Sequence, residues 1–200
     1  MSFSDYKTLS QVQQEYQIKY DEGIFIEKKL IAPTDNFVTE FNFNIRTMDA
    51  FSSEAARCEL LIFPILREVY KKYAQEIALW IQKTISYNEK LNGTPDYLFA
   101  KRSPLGKTVL ELPLLAVAEA KKSDFEQGWA QCLAELVAMQ KLNGKATTTV
   151  YGIVTDGKYW EFGQLVEALF TKNRESFSID DLPELFGALD FLLSAASQPT

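Results

Sequence analysis

A mixed α/β fold, one sheet flanked by helices, is predicted by three features of the sequence. Residues 112–120 are a near-continuous apolar run, as a central strand covered on both faces requires. Apolar residues recur at helical spacing at Ala56, Leu60, Phe63, Leu66, Val69 and Tyr73. Two β-rich stretches, 147–154 and 159–162, flank an Asp156-Gly157 turn and read as a hairpin.

The remaining elements follow in chain order. Residues 4–19 are expected to be helical, with Leu9, Val12, Tyr16 and Ile18 loosely periodic, and 23–26 to be extended; 34–45 suits either helix or strand. Ser52 or Ser53 can cap the next helix, with Glu54 in the first turn where the dipole favours negative charge. Pro64 lacks an N–H and should kink or break that helix. Alternation of Ile77, Leu79, Ile81, Ile85 and Tyr87 predicts a strand over 77–87. Asn92-Gly93 then supplies a turn, and Pro95 an extended start for Asp96-Tyr97-Leu98-Phe99. Residues 101–107 form a polar loop before the central strand. Ser123 or Asp124 caps a long helix that runs to about Leu142 and stops at Asn143-Gly144. An extended segment near Phe177-Ser178-Ile179 and a helix over 182–195, capped by Asp180 or Asp181, close the chain.

Two hundred residues, 46% hydrophobic and 24% charged, suit one globular domain with one substantial core. Within it, 1–50 read as an N-terminal extension, 52–163 as the core and 164–200 as a C-terminal strand and helix. The apolar runs are too short to span a bilayer and the N-terminus lacks a signal-peptide pattern, so no membrane association and a cytoplasmic location are expected. Cys58 and Cys132 stand apart in apolar helical contexts, as small buried hydrophobes do. Trp80, Trp129 and Trp160 are most simply core aromatics. The chain has no histidine, which removes Ser-His-Asp and Cys-His triads and the common zinc hydrolase sites. Hydrolytic chemistry would have to run on carboxylates, lysine, tyrosine or a bound metal. A net charge of −6 argues against a generic high-affinity nucleic-acid coat and for modest DNA affinity of the chain alone.

The residues best suited to such chemistry are Asp96, at the start of one apolar run, and Glu119 and Lys121, at the end of the next. Period-2 geometry puts Glu119 and Lys121 on one face of a strand, with Ala120 on the other. Two carboxylates and an amine converging at strand ends can hold a hard divalent cation beside an activated water. Charges at strand ends are also commonly just solvated, and the same letters arise by chance. The apolar run into Glu119 weighs against that, because a charge ending a central strand costs desolvation unless something compensates it.

Thr94-Pro95-Asp96 and Glu119-Ala120-Lys121 resemble the PD-(D/E)xK nuclease superfamily, with its restriction-endonuclease-like fold. That core runs helix, three-stranded antiparallel meander, helix, strand, the order predicted for 53–154. Ser53-Glu54-Ala55-Ala56 with Leu60-Leu61-Ile62-Phe63-Pro64, and Gly152-Ile153-Val154-Thr155-Asp156-Gly157 with Trp160-Glu161-Phe162, resemble bacterial members related to type I restriction subunits. The resemblance covers about half of the chain.

It implies that Asp96 and Glu119 are metal ligands, with the Ala120 carbonyl as a third, around Mg²⁺ or Mn²⁺. Lys121 would orient or deprotonate the attacking water, or stabilise developing charge. Glu54 would bind the metal through water or complete a second site; Glu59 is a weaker candidate. In some branches a glutamine at the position of Gln131 contacts the site and is followed one turn later by tyrosine; here that residue is Glu135. Lys122 should face away, while Lys101, Arg102 and Lys107 either contact phosphates or form a solvated loop. The implied function is a divalent-metal-dependent endonuclease on DNA, in restriction, defence or mobile-element biology, alone, as a homodimer or with a partner subunit. The alternative is an idle nuclease fold serving as a nucleic-acid-binding or accessory subunit; a third class is an unrelated α/β interaction protein.

Overall fold

A computed structural model describes residues 2–122 and 124–198. A 3₁₀ turn at Phe3–Asp5 and helix α1 (Leu9–Tyr16) precede strand β1 (Lys19–Gly23), so the helix expected over 4–19 is split and the first strand lies earlier than 23–26. The ambiguous segment is helical: α2 spans Asp35–Thr47, and the Thr34 side chain caps it by accepting from the Phe37 N–H.

Helix α3 (Glu54–Arg57) is capped by Ser53, whose side chain accepts from the Ala56 N–H. It passes through a π-helical turn, Cys58–Ile62, into α4 (Phe63–Tyr70). Pro64 neither breaks nor ends the helix. The wide turn absorbs it: the Phe63 N–H reaches back to the Cys58 carbonyl, and the Leu60 carbonyl, four residues before Pro64, accepts from the Asn44 side chain at 3.2 Å instead.

The strand predicted over 77–87 ends early. β2 is Ile77–Ile81, and Gln82 turns the chain in a left-handed conformation (φ 47°). A small hairpin follows, β3 (Ile85–Ser86) with β4 (Asn92–Gly93). Asn92-Gly93 is therefore paired strand and not the turn. Asn88 makes the turn, its Oδ1 accepting from the Lys90 and Leu91 N–H groups. β5 (Tyr97–Lys101) and β6 (Glu111–Ala120) complete an antiparallel meander with β2.

Helix α5 (Phe125–Asn143) is capped by Asp124, which accepts from the Gln127 N–H, and ends at Gly144 in the left-handed conformation (φ 69°) that favours glycine. Ser123, the other candidate cap, lies outside the described residues. α5 crosses back so that β7 (Val150–Thr155) joins β6 in parallel. β8 (Tyr159–Val166) forms the expected hairpin with β7, β9 (Leu169–Asn173) adds antiparallel to β8, and β10 (Phe177–Ser178) caps the start of β8. Helix α6 (Leu182–Ser197), capped by Asp181, closes the described chain.

The main sheet runs β1-β9-β8-β7-β6-β5-β2, with β10 beside β8, and a helical layer lies on each face. On one face the π turn, α4 and α6 bury Leu61, Ile65, Leu189 and Leu192 against Phe99, Ala116 and Ala118. On the other α5 buries Trp129, Leu133 and Leu136 against Leu98, Val117 and Val154. The protein is thus a mixed α/β fold with an open sheet between helices. The N-terminal segment contributes to the sheet, since β1 pairs in parallel with β9 and forms one sheet edge. Among the described residues, no helix is long and apolar enough to cross a membrane.

Candidate active site

Helix α5 and strand β6 position the site because they are joined at two points. At the far end the Asn143 side chain accepts from the Leu114 N–H at 2.7 Å and donates to the Leu114 carbonyl at 2.8 Å. At the near end Gln131 Nε2 donates to Glu119 Oε2 at 2.6 Å. The lengths between these points agree: from 131 to 143 the helix rises ~18 Å, and from 114 to 119 the strand extends ~17 Å.

Asp96 precedes β5 and stands beside the end of β6, since Tyr97 pairs with Ala118. Two hydrogen bonds brace the acidic residues: the Asp96 N–H donates to Glu119 Oε1 at 3.3 Å, and Asp96 Oδ2 accepts from the Ala120 N–H at 2.8 Å. Lys121 Nζ lies 3.5 Å from Glu119 Oε2, with its side chain 19% exposed. Gly128 on α5 leaves it room, because a Cβ there would stand 3.0 Å from Lys121 Cγ and 2.7 Å from Val154 Cγ1. The predicted trio is therefore one cluster at the carboxyl end of β6.

Gln131 also donates to Glu135 Oε1, at 3.2 Å. Glu135 is fully buried, and its Oε2 meets no hydrogen-bond donor among the described residues. The group beside it is the Glu119 carboxyl, an acceptor itself unless one of the two holds a proton. Burial, then the negative charge of Glu119, holds the Glu135 carboxyl well above the usual carboxylate range, so Glu135 is the partner that keeps its proton. Burial, then the Asp96 charge, pushes Glu119 up to about 7. Burial also raises Asp96, against the Ala120 N–H and Lys121. At Lys121 burial disfavours the charge, but Glu119, Asp96, Glu54 and Glu135 outweigh it and raise the ammonium above its ordinary value. The buried carboxyls of Glu119 and Glu135 and the half-buried one of Asp96 face one ammonium, and the pocket is short of positive charge.

The α3 segment and its π turn are anchored at the same end of the sheet. Tyr97 donates from its hydroxyl to the Cys58 carbonyl at 3.4 Å, and Arg57 donates to the Asp156 carbonyl at 2.6 Å, tying the π turn to β5 and to the β7–β8 turn. π turns of this kind recur at functional sites. Glu54 is exposed at the start of α3, near enough for its charge to act on Lys121 and Cys58. Glu59 is exposed on the π turn. Lys122 is exposed beyond the strand end. Lys101 pairs with Ile77 at the opposite end of β5, and Arg102 donates to the Ala74 carbonyl; this basic loop stands at the far pole of the sheet and does not join the cluster. Cys132, Trp129 and Trp160 are core residues, and Cys58 and Trp80 are half-buried.

The donor set suits a hard divalent cation. Asp96 and Glu119 offer carboxylate oxygens in a pocket short of positive charge. Among the described residues no three acidic or thiol side chains are gathered as a ready metal cage. Mg²⁺ needs none, being held by one or two carboxylates with water completing its shell.

Compared with known proteins, the chain matches no protein-family model and no curated protein sequence.

Proposed function

We propose that this protein is a divalent-metal-dependent endonuclease that hydrolyses DNA phosphodiester bonds, with Asp96, Glu119 and Lys121 as its working groups, as its resemblance to the PD-(D/E)xK superfamily implies. The observation that carries the reading is the mutual bracing of Asp96 and Glu119, with Lys121 at 3.5 Å from Glu119, at the end of a central strand. Asp96 and Glu119, with the Ala120 carbonyl, would hold Mg²⁺ or Mn²⁺, and Glu54 would reach it through water. The bound ion supplies charge neutralisation at the phosphate and an acidified water. Gln131 holds Glu119 in orientation. Lys121 carries its proton in the pocket and therefore acts as a hydrogen-bond donor to the phosphate or water rather than as the base.

One observation favours a second reading, an idle nuclease fold that serves as a nucleic-acid-binding or accessory subunit. Glu119 is 1% exposed and already engaged by Gln131, Lys121 and the Asp96 N–H. A cytoplasmic setting, modest DNA affinity and assembly as a homodimer or with a partner subunit belong to both readings; two active sites would serve cutting of both strands.

The test is cleavage of single-stranded, duplex and branched DNA with Mg²⁺ or Mn²⁺, beside calorimetric titration of the metal. Turnover lost in Lys121→Ala and in Asp96→Asn supports the nuclease. Metal binding without turnover on any substrate favours the accessory subunit, and wild-type protein that binds no divalent ion sinks the metal site.

A further inference from the structure

We propose that Glu135 is a positioning residue for Glu119, acting through the Gln131 amide; this rests on the metal-site reading above. Residues 128–140 of α5 are buried without a break, and among them only Gln131, Glu135 and Gln140 are long polar side chains. Gln140 is structural: its amide donates to the Ala146 and Leu165 carbonyls. Gln131 and Glu135 instead form an i, i+4 pair aimed at Glu119. The Gln131 amide nitrogen is shared, 2.6 Å from Glu119 and 3.2 Å from Glu135, so Glu135 fixes the rotation of the amide that holds the ligand.

A structural role alone does not account for this carboxyl. It is 0% exposed on a helix face that is otherwise apolar, and the polar groups it meets among the described residues are the Gln131 amide and the Glu119 carboxyl, so its burial costs desolvation that those partners must offset. An apolar residue of similar size would fill the same space on an otherwise apolar helix without that cost. Groups that break a local rule at a stability cost are those that functional sites carry.

The test pairs Mn²⁺ binding, by calorimetry and by the electron paramagnetic resonance line shape, with thermal unfolding of the metal-free protein. Glu135→Leu is expected to unfold at the wild-type temperature or higher, yet to bind Mn²⁺ about tenfold or more weakly with a changed line shape. Glu135→Gln keeps both an acceptor for Gln131 and a donor toward Glu119, so its affinity should stay within about threefold of wild type. Gln131→Leu should weaken binding as Glu135→Leu does, and the double variant should lose no more than either alone.

Mn²⁺ affinity unchanged in Glu135→Leu overturns the proposal, as does a lower unfolding temperature with unchanged line shape. If Glu135→Leu does not fold, Gln131→Leu with wild-type affinity and line shape overturns it equally. Asp96→Asn, run alongside, separates the two failures. Wild-type protein that binds no Mn²⁺ ends the metal-site reading and this inference together. Binding that Asp96→Asn abolishes and Glu135→Leu leaves intact ends this inference alone.

Discussion

Asp96 and Glu119 hold each other by way of the backbone: each carboxylate accepts an N–H from the other's strand, the Asp96 N–H at 3.3 Å and the Ala120 N–H at 2.8 Å. Asp96→Asn keeps an oxygen for the Ala120 N–H but loses the charge. The variant should fold within about 1 kcal/mol of wild type, while Mn²⁺ binding and cleavage fall by about 100-fold or more. Denaturant unfolding and metal titration check the two halves.

Lys121→Met removes the ammonium that faces the buried carboxyls. At pH 8, where Glu119 is ionised in the folded protein, the loss should reach about 3 kcal/mol. At pH 5 Glu119 holds a proton and the loss should be smaller. Chemical denaturation of both proteins at the two pH values measures the difference; equal losses would contradict the pairing.

The metal-free protein should lose stability as pH rises toward 8. Glu119 has an ordinary value of 4.5 and is pushed up to about 7 by burial and then by Asp96, so the folded state binds the extra proton. The stabilising effect of that proton is whole below 4.5 and is lost as pH rises through 7, on the order of 3 kcal/mol in all. Saturating Mg²⁺ should flatten the slope, because a cation compensates the ionised carboxylate. Melting curves across pH 4.5–8, with and without Mg²⁺, give the answer.

Gly128→Ala would raise helix propensity by about 1 kcal/mol in an open helix. Here the added Cβ meets Val154 Cγ1 at 2.7 Å and Lys121 Cγ at 3.0 Å. We expect a net loss of roughly 1–2 kcal/mol, together with slower cleavage as Lys121 is displaced. Thermal unfolding and a cleavage assay should move in the same direction.

The middle of the chain was the most readable. The apolar run into Glu119, the capped α5 and the Asp156-Gly157 hairpin announce themselves because each joins a hydrophobic pattern to its own stop signal. β1 and β9 were hidden. Lys19-Tyr20-Asp21-Glu22-Gly23 is polar and exposed for most of its length, and it is a strand only because it pairs at the sheet edge with a segment some 150 residues away. The strand over 77–87 was overextended because alternation continues past Gln82, where a left-handed residue turns the backbone. Within the site, Asp96, Glu119, Lys121 and Gln131 were legible from spacing and resemblance. Glu135 read as a departure from a pattern; its signal was a second polar residue four positions after Gln131 on a helix face with nowhere to send a charge.

The double fastening of α5 to β6 makes the site intolerant of changes in chain length. One residue inserted between 131 and 143 would turn the upstream part of α5 by about 100° and carry Gln131 off Glu119. One inserted between 114 and 119 would send Glu119 to the opposite face of the sheet, among Ala116 and Ala118. Substitutions between the fastenings can be absorbed by repacking, whereas an insertion or deletion cannot; the two elements can change length only together, in the proportion set by the rise of a helix against that of a strand.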